Sequence, residues 1–267
     1  MSTRPYDYRQ LRRDDVSAAV DRYLVQADRL HSPFMTAIDW DSIKTEELTD
    51  AQLCAVRLAT FVEDHVPGYI KIYAERFPID DTVDLDLVAA HRYLHFFISQ
   101  WASEEDHHAY VLSQYLYRVG VDRDVLEADL VQEVKKPLDF SLTDPLQIFS
   151  YTLIQEKITQ SYYRQLSSHV SEPVLSGILR HMAKDEGRHF VFFSDLVSAL
   201  LRRRGPEGRS AALEVVENFE MPMSRVLAGR WRLALKAQEA APEHDHRAAL
   251  NEVQRLIDRI GLETKVS

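Results

Sequence analysis

Residues 104–108 of this chain read Glu-Glu-Asp-His-His, and residues 185–189 read Asp-Glu-Gly-Arg-His. Each stretch contains a Glu followed three residues later by a His, with an acidic residue directly before that Glu. Both lie in long segments with helical periodicity, so the Glu and the His project from one helix face about one turn apart. Two such pairs, with one Glu from each of two further helices, form the six-ligand set of a carboxylate-bridged two-metal site in a four-helix bundle.

The sequence also supplies the two further carboxylates that this arrangement requires. Glu63 and Glu156 each end an apolar run, where an unpaired charge would be costly. A single Glu-x-x-His pair is usually a solvated helix face, but here it is duplicated and has apolar neighbours such as Trp101 and Phe193 on the same helices. We therefore predict six inward-facing metal ligands: Glu63, Glu105, His108, Glu156, Glu186 and His189.

Length and composition favour one helical domain. The 267 residues are 45% hydrophobic, which is enough for a large core. Only 8 Gly and 10 Pro occur and strand-like alternation is scarce, so the chain is predicted to be helical throughout. We predict a single domain over residues 1–267, with a bundle over about 48–204 and flanking helices at 12–31 and 207–262.

Charge, cysteine content and hydropathy exclude several classes of function. The formal net charge of −10 argues against general affinity for nucleic acid. The single cysteine, Cys54, excludes a disulfide framework and a cysteine-ligated iron–sulfur site. No apolar run approaches the ~20 residues that span a bilayer, and the N-terminus Met1–Tyr8 lacks the apolar core of a secretory signal. We therefore expect a soluble cytoplasmic protein without a transmembrane segment.

Capping residues and helix breakers set the expected helix boundaries. Thr49-Asp50 is predicted to cap the helix that carries Glu63, and Pro67 inside that helix is expected to bend it. Gly205-Pro206 is expected to end the helix that carries the second Glu-x-x-His pair. Helices are predicted at residues 14–31, 50–76, 84–119, 123–134, 145–169, 173–204, 208–240 and 247–260.

The ligand types indicate which metal the site would hold. Four carboxylates and two imidazoles suit paired iron better than zinc, which favours tetrahedral nitrogen and sulfur ligands, while manganese remains an alternative. Glu104 and Asp185 precede the ligands Glu105 and Glu186. We expect Glu104 to accept a hydrogen bond from His189, and Asp185 to accept one from His108. The alternative is that both acidic residues are solvated surface groups.

These segments resemble the signatures of the soluble acyl-acyl carrier protein desaturases. Residues 101–108 match Trp-x-x-Glu-Glu-x-x-His, and residues 185–189 match Asp-Glu-x-Arg-His. In residues 62–69, Glu63 is followed by Pro four positions later and by Tyr six positions later, as in that family's first ligand segment. The resemblance spans roughly residues 40–204. It implies an all-α, ferritin-like four-helix bundle with a di-metal core and additional flanking helices.

The same resemblance implies an activity and its components. The protein would be an oxidoreductase of fatty acid biosynthesis, an oxygen-dependent desaturase that introduces a cis double bond into an acyl chain carried on acyl carrier protein. It would hold two iron ions per chain, receive electrons from an external donor such as ferredoxin, and form a homodimer. Thr159 would line the oxygen pocket, and Trp40, Asp185 and His108 would form an electron path. Asp106 and His107 depart from the family, which frequently has Asn and Arg there.

Two further questions stay open at the level of sequence. The same ligand set serves other di-iron oxidases and oxygenases, including N-oxygenases and enzymes that oxidatively fragment fatty or amino acyl substrates. A radical-generating subunit would need a tyrosine near the site, for which Tyr93, Tyr110 and Tyr162 are candidates.

A local basic excess predicts a docking surface for an acidic carrier protein. Its members are Arg202, Arg203, Arg204, Arg209, Arg225, Arg230, Arg232 and Lys236. The alternative is that these side chains cap a helix and pair with acidic neighbours, namely Glu207, Glu214 and Glu217.

Overall fold

The structure, a computed structural model, describes residues 11–30, 34–80, 84–138 and 140–263. The predictions that concern Met1–Tyr8 and His31 therefore lie outside the described residues. The α-helices are α1 (Arg13–Leu30), α2 (Phe34–Ala37), α3 (Asp50–Glu63), α4 (Val66–Arg76), α5 (Leu85–Arg118), α6 (Arg123–Val134), α7 (Pro145–His169), α8 (Pro173–Glu217), α9 (Met223–Val226), α10 (Trp231–Ala240) and α11 (His246–Glu263).

Four of these helices form a bundle, and the others cover it. Helix α7 packs along α8, α3 packs along α5, and α5 also contacts α8. On the outside, α1 lies on α5 and α8, α11 lies on α7 and α8, and α10 packs against α3. The predicted all-α bundle with flanking helices is confirmed. Throughout the described ranges, every helix is too short or too polar to cross a membrane.

Helix starts are set by local capping, and here the sequence predictions hold. Thr49 accepts a hydrogen bond from the Gln52 amide, and the Gln52 side chain accepts one from the Thr49 amide, which forms a capping box at the start of α3. Helix α7 begins after the capping residue Asp144 with a proline in its first turn, which needs no intrahelical donor. Helices α6 and α7 have the predicted bounds.

The predicted helix over residues 50–76 is interrupted. Helix α3 ends at Glu63, a turn follows at Asp64 and His65, and α4 begins at Val66. Pro67 has no amide hydrogen to donate to the carbonyl four residues earlier, which is that of Glu63. The bend expected at this proline is therefore a complete break, and it places Glu63 in the last turn of α3.

The C-terminal predictions hold in one place and were wrong in another. As predicted, the helix that carries the second Glu-x-x-His pair is interrupted at Gly205, whose φ of 55° and ψ of −134° are non-helical, and a second helical segment of α8 then runs to Glu217. The single helix predicted over residues 208–240 is interrupted after Glu217 and then forms α9, a 3₁₀ helix and α10. Pro222 lies in this interruption, where its missing amide hydrogen is no loss.

The apolar core consists of two clusters with a polar layer between them. On α5, one cluster includes Trp101 and Ala102, and the other begins at Val111. On α8, one cluster ends at Ala183 and the other begins at Phe192. The predicted ligands on α5 and α8 lie between the two clusters. The bundle therefore holds its polar residues between two packed apolar ends, which fixes the spacing of the helices at that level.

Replacing Gly205 by Ala should lower the free energy of unfolding by about 1–3 kcal/mol, because its positive φ is strained for a residue with a Cβ atom. Gly177→Ala in the same helix is the matched control. A Cβ atom there meets nothing within 4 Å, and helical Gly→Ala changes stabilise by about 0.5–1 kcal/mol. Urea unfolding of both variants measures the difference, and equal shifts of the same sign would contradict the kink at Gly205.

Candidate metal centre

The bundle brings all six predicted ligands together in its interior. Each of two groups of four residues offers ligand atoms that lie within 4.8 Å of one another. Glu105 and Glu186 belong to both groups, so their carboxylates lie between the two positions and are placed to bridge a pair of ions. The first group is Glu63, Glu105, His108 and Glu186, and the second is Glu105, Glu156, Glu186 and His189.

Burial distinguishes this cluster from an acidic surface patch. All six residues are 6% exposed or less, and His189 is fully buried. Carboxylates are almost never buried to this extent unless they are paired or bind a metal. The arrangement requires positive charge in its centre.

The pKa values show how the carboxylates crowd one another. Burial, with the charge of Glu105 adding to it, raises the pKa of Glu63 to about 7. Burial and the other carboxylates raise the pKa of Glu186 well above its usual value. Burial also acts on Glu105, but the charges and hydrogen bonds of His189 and His108 outweigh it and lower the pKa. Without a cation, the cluster relies on protons to offset its negative charge.

Two buried atoms are left for a ligand. Glu186 Oε1 and His189 Nδ1 make no complete hydrogen bond. His189 Nδ1 nevertheless lies 3.0 Å from Glu105 Oε1 and 3.3 Å from Glu156 Oε2. Nitrogen and oxygen atoms that converge without bonding to each other fit a shared cation. The oxygen-rich donor set fits iron or manganese, as expected from the sequence.

The outer partners of the histidines are the expected ones. His108 Nε2 lies 3.1 Å from Asp185 Oδ2, and His189 Nε2 lies 2.9 Å from Glu104 Oε2. Each bond leaves Nδ1 facing the cluster. Arg188 joins the two partners by donating to Asp185 Oδ1 at 2.5 Å and to Glu104 Oε2 at 3.1 Å. Although burial opposes ionisation, these donors lower the pKa of Glu104 and of Asp185 to about 2.

Thr159 lines a small cavity beside the cluster, in which the space open to water is about 30 Å³. Its hydroxyl donates to the Gln155 carbonyl over 3.0 Å, so it also bonds back to its own helix. The remaining acceptor capacity of the oxygen is available to the cavity. The other lining residues are Val62, Glu63, Val66, Tyr69, Trp101, Glu105, Gln155, Glu156 and Glu186.

Two tyrosines that contact the site were missed at the level of sequence. Tyr163 donates to Glu63 Oε1, and Tyr23 on α1 donates to Glu104 Oε2. Tyr163 follows Glu156 by seven residues, so two helical turns place both on one face, and this spacing was a usable signal. Nothing in the sequence relates Tyr23 to Glu104. Of the tyrosines that the sequence suggested for a radical site, Tyr110 is 54% exposed, and the Tyr162 hydroxyl lies 3.4 Å from the Ala237 carbonyl oxygen.

Three further residues discussed in connection with the site have different surroundings. His107 is exposed, because neighbouring residues on a helix point in different directions and His108 faces the cluster. The guanidinium carbon of Arg118 lies over the Trp40 ring, 4.3 Å from the ring centroid. His181, which the sequence analysis did not select, reaches to 3.4 Å from Asp185 Oδ2.

Comparison with known proteins identifies the family of the chain. A family model described as fatty acid desaturase matches residues 23–251. The chain belongs to this fatty acid desaturase family. The resemblance to acyl-acyl carrier protein desaturases is thereby confirmed.

Relatives of this desaturase family member carry matching names. DesA2 of Mycobacterium tuberculosis, provisionally named an acyl-[acyl-carrier-protein] desaturase, is 27% identical over 172 residues, which cover 63% of this chain and 57% of DesA2. The chloroplastic palmitoyl-[acyl-carrier-protein] 4-desaturase 2 of Ophrys sphegodes is 29% identical over 139 residues, 50% of this chain and 37% of that protein. The chain thus matches little more than half the length of DesA2, and less of the plant protein.

A solved structure supports the fold. The X-ray structure of DesA2 from M. tuberculosis H37Rv superposes with a TM-score of 0.65 at 15% sequence identity, over 94% of both chains. The fold of this solved structure therefore agrees with the ferritin-like bundle described above.

Purified protein loaded anaerobically with Fe²⁺ should retain about two ions per chain, the stoichiometry of a bridged pair. His108→Ala and Glu186→Ala should lose most of this iron, because each removes a donor from a buried cluster. His91→Ala is the control, since His91 is also buried on α5 but bonds to the Pro78 carbonyl away from the cluster. Iron analysis after gel filtration measures the content, and full retention by both cluster variants would contradict the assignment.

Proposed function

We propose that this protein is an oxygen-dependent di-iron desaturase that introduces a cis double bond into an acyl chain carried on acyl carrier protein. The observation that carries the proposal is the pair of buried four-residue groups that share Glu105 and Glu186. The family and the names of the relatives support the reaction class. The proposed cofactor is two iron ions, reduced by ferredoxin or a similar external donor.

The bound iron pair would supply oxygen activation: dioxygen takes up two substrate hydrogens, two external electrons and two protons and leaves as two waters. The protein's part is to bind and orient. Asp185 and Glu104 accept hydrogen bonds from the imidazole Nε2 atoms and keep Nδ1 of His108 and His189 directed at the cluster. Arg188 connects these two carboxylates, so both sides of the site are held by one network.

The lining of the cavity beside the cluster suits methylenes, although its space of about 30 Å³ takes roughly one or two waters, so an acyl segment would require the walls to move apart. Val62, Val66 and Trp101 give it apolar walls, and Glu63 and Glu156 also line it. An apolar wall excludes water and holds methylenes close to the oxidising centre, which unactivated carbon–hydrogen bonds require. Tyr69 Oη and Gln155 Oε1 are buried here without a complete hydrogen bond, as expected of a wall that meets ligand or water during turnover.

The proposal of a carrier protein depends on the relatives and not on the basic excess. Arg203 pairs with Asp15, Arg204 with Asp144, Arg209 with Asp258, and Arg230 with Asp129 and Glu133. These pairs use much of the charge that was predicted to face an acidic partner. The structure says nothing of the Arg225 side chain, which lies outside the described side chains. Assembly as a homodimer and a cytoplasmic location remain predictions from the family resemblance.

Iron-loaded protein, a ferredoxin-type reductant and oxygen should convert acyl-acyl carrier protein into a product that lacks two hydrogens. Gas chromatography with mass spectrometry of the released acyl group measures the change. Acyl-coenzyme A of the same chain length is the comparison, and equal rates with both would contradict the carrier requirement. A product that gains oxygen or loses carbon would instead favour an oxygenase or an oxidative fragmentation enzyme.

Thr159→Val should keep the iron but lower the product formed per oxygen consumed, because the variant cannot accept a hydrogen bond from water or a proton donor in the cavity. Thr152→Val is the control. Thr152 bonds back to the Ile148 carbonyl over 3.1 Å on the same helix and lies 2.9 Å from the Tyr73 hydroxyl, but it does not line the cavity. Parallel oxygen-electrode and product measurements give the coupling, and an equal loss in both variants would indicate a structural effect.

A further inference from the structure

Tyr23 is the residue by which the flanking helix α1 reaches the metal centre. Its side chain is 2% exposed, and its hydroxyl donates to Glu104 Oε2 over 2.7 Å. The ring lies edge-on to Phe97 and Phe192, with centroid distances of 4.8 and 5.8 Å, and 6.2 Å from the ring of His189. The packing of this ring leaves its hydroxyl directed at one carboxylate.

Helix α1 is fixed to the bundle beside this contact. It packs on both α5 and α8, the two helices that carry the Glu-x-x-His pairs. Arg22 binds Asp195 of α8 over 2.7 Å, and Asp15 pairs with Arg203 of the same helix. Tyr23 is therefore presented by an anchored helix, and its position relative to Glu104 does not depend on a loop.

Glu104 and Asp185 occupy equivalent places but have different partners. Glu104 Oε2 accepts from His189, Arg188 and Tyr23, and Gln100 donates to the other oxygen over 3.1 Å. Asp185 is contacted by His108, Arg188 and His181. The Tyr23 hydroxyl therefore contacts the carboxylate that holds His189, and not the one that holds His108.

We propose that Tyr23 is a positioning residue for the metal position that His189 serves. Its hydroxyl fixes the Glu104 carboxylate, and Glu104 fixes the imidazole so that Nδ1 faces the cluster. The inference rests on the proposed function, because it takes His189 as a metal ligand. Loss of an outer partner of this kind typically costs 10–100-fold in metal affinity. The loss should fall on the His189 position and spare the position that contains His108.

Tyr23→Phe tests the role because it keeps the ring and removes only the hydroxyl. Tyr115→Phe is the matched control: Tyr115 is also buried and donates over the same 2.7 Å to a carboxylate, Glu172 Oε2, but Glu172 caps α8 and is not one of the six ligands. Metal-free proteins are titrated with Co²⁺, followed by visible absorption and calorimetry. The parent and Tyr115→Phe should bind two ions with unchanged constants, whereas Tyr23→Phe should bind one of the two roughly 10–100-fold more weakly.

A second background shows whether Tyr23 acts through Glu104. In Glu104→Ala, which removes the acceptor, adding Tyr23→Phe should change the Co²⁺ constants little, because the two changes remove the same interaction. Equal affinities in Tyr23→Phe and the parent, or equal weakening in Tyr115→Phe, would overturn the role of Tyr23 while leaving the metal centre intact. Failure of the parent to bind two Co²⁺ would contradict the metal centre itself, and the role of Tyr23 with it.

Discussion

The fold depends on four carboxylates and two imidazoles that are buried together in the middle of the bundle. Each ionised group taken out of water costs several kcal/mol unless it is paired. Here the ligand atoms of each group of four lie within 4.8 Å of one another, and burial together with neighbouring carboxylates raises the pKa values of Glu63 and Glu186. The cluster is compatible with a stable fold only if protons or metal ions compensate its charge.

The rest of the architecture holds this layer in place. Apolar clusters on both sides of it fix the distance between the bundle helices. The break after Glu63 ends α3 at the cluster, and α4 then carries Tyr69 to the wall of the cavity. Around the ligands, Arg188 links Asp185 to Glu104, and Tyr23 connects Glu104 to a flanking helix. The outer helices therefore contribute to the orientation of the ligands as well as to the apolar core.

Much of this could be predicted from the sequence because it depends on short-range patterns. The Glu-x-x-His spacing, the cap at Thr49 and the prolines at helix starts are local signals, and the corresponding elements lie where they were expected. The C-terminal region was harder: the break at Gly205 was predicted, but the interruption between Glu217 and α10 was not, although Pro222 lies within it.

Long-range pairs could not be predicted in the same way. Tyr23 and Glu104 are 81 residues apart, and the partner of Arg204 proved to be Asp144 of a capping turn and not a nearby glutamate. Such contacts follow from how the helices pack, which no short pattern records. In the basic excess, for example, the sequence shows the arginines but does not show which carboxylates they pair with.

We propose that the six residues hold two metal ions that share Glu105 and Glu186. Crystals grown with Fe²⁺ and measured at energies on either side of the iron absorption edge provide the test. We expect two anomalous peaks, separated by roughly 3.5–4 Å, one beside His108 and one beside His189. A single peak, or none between these residues in fully loaded crystals, would contradict it.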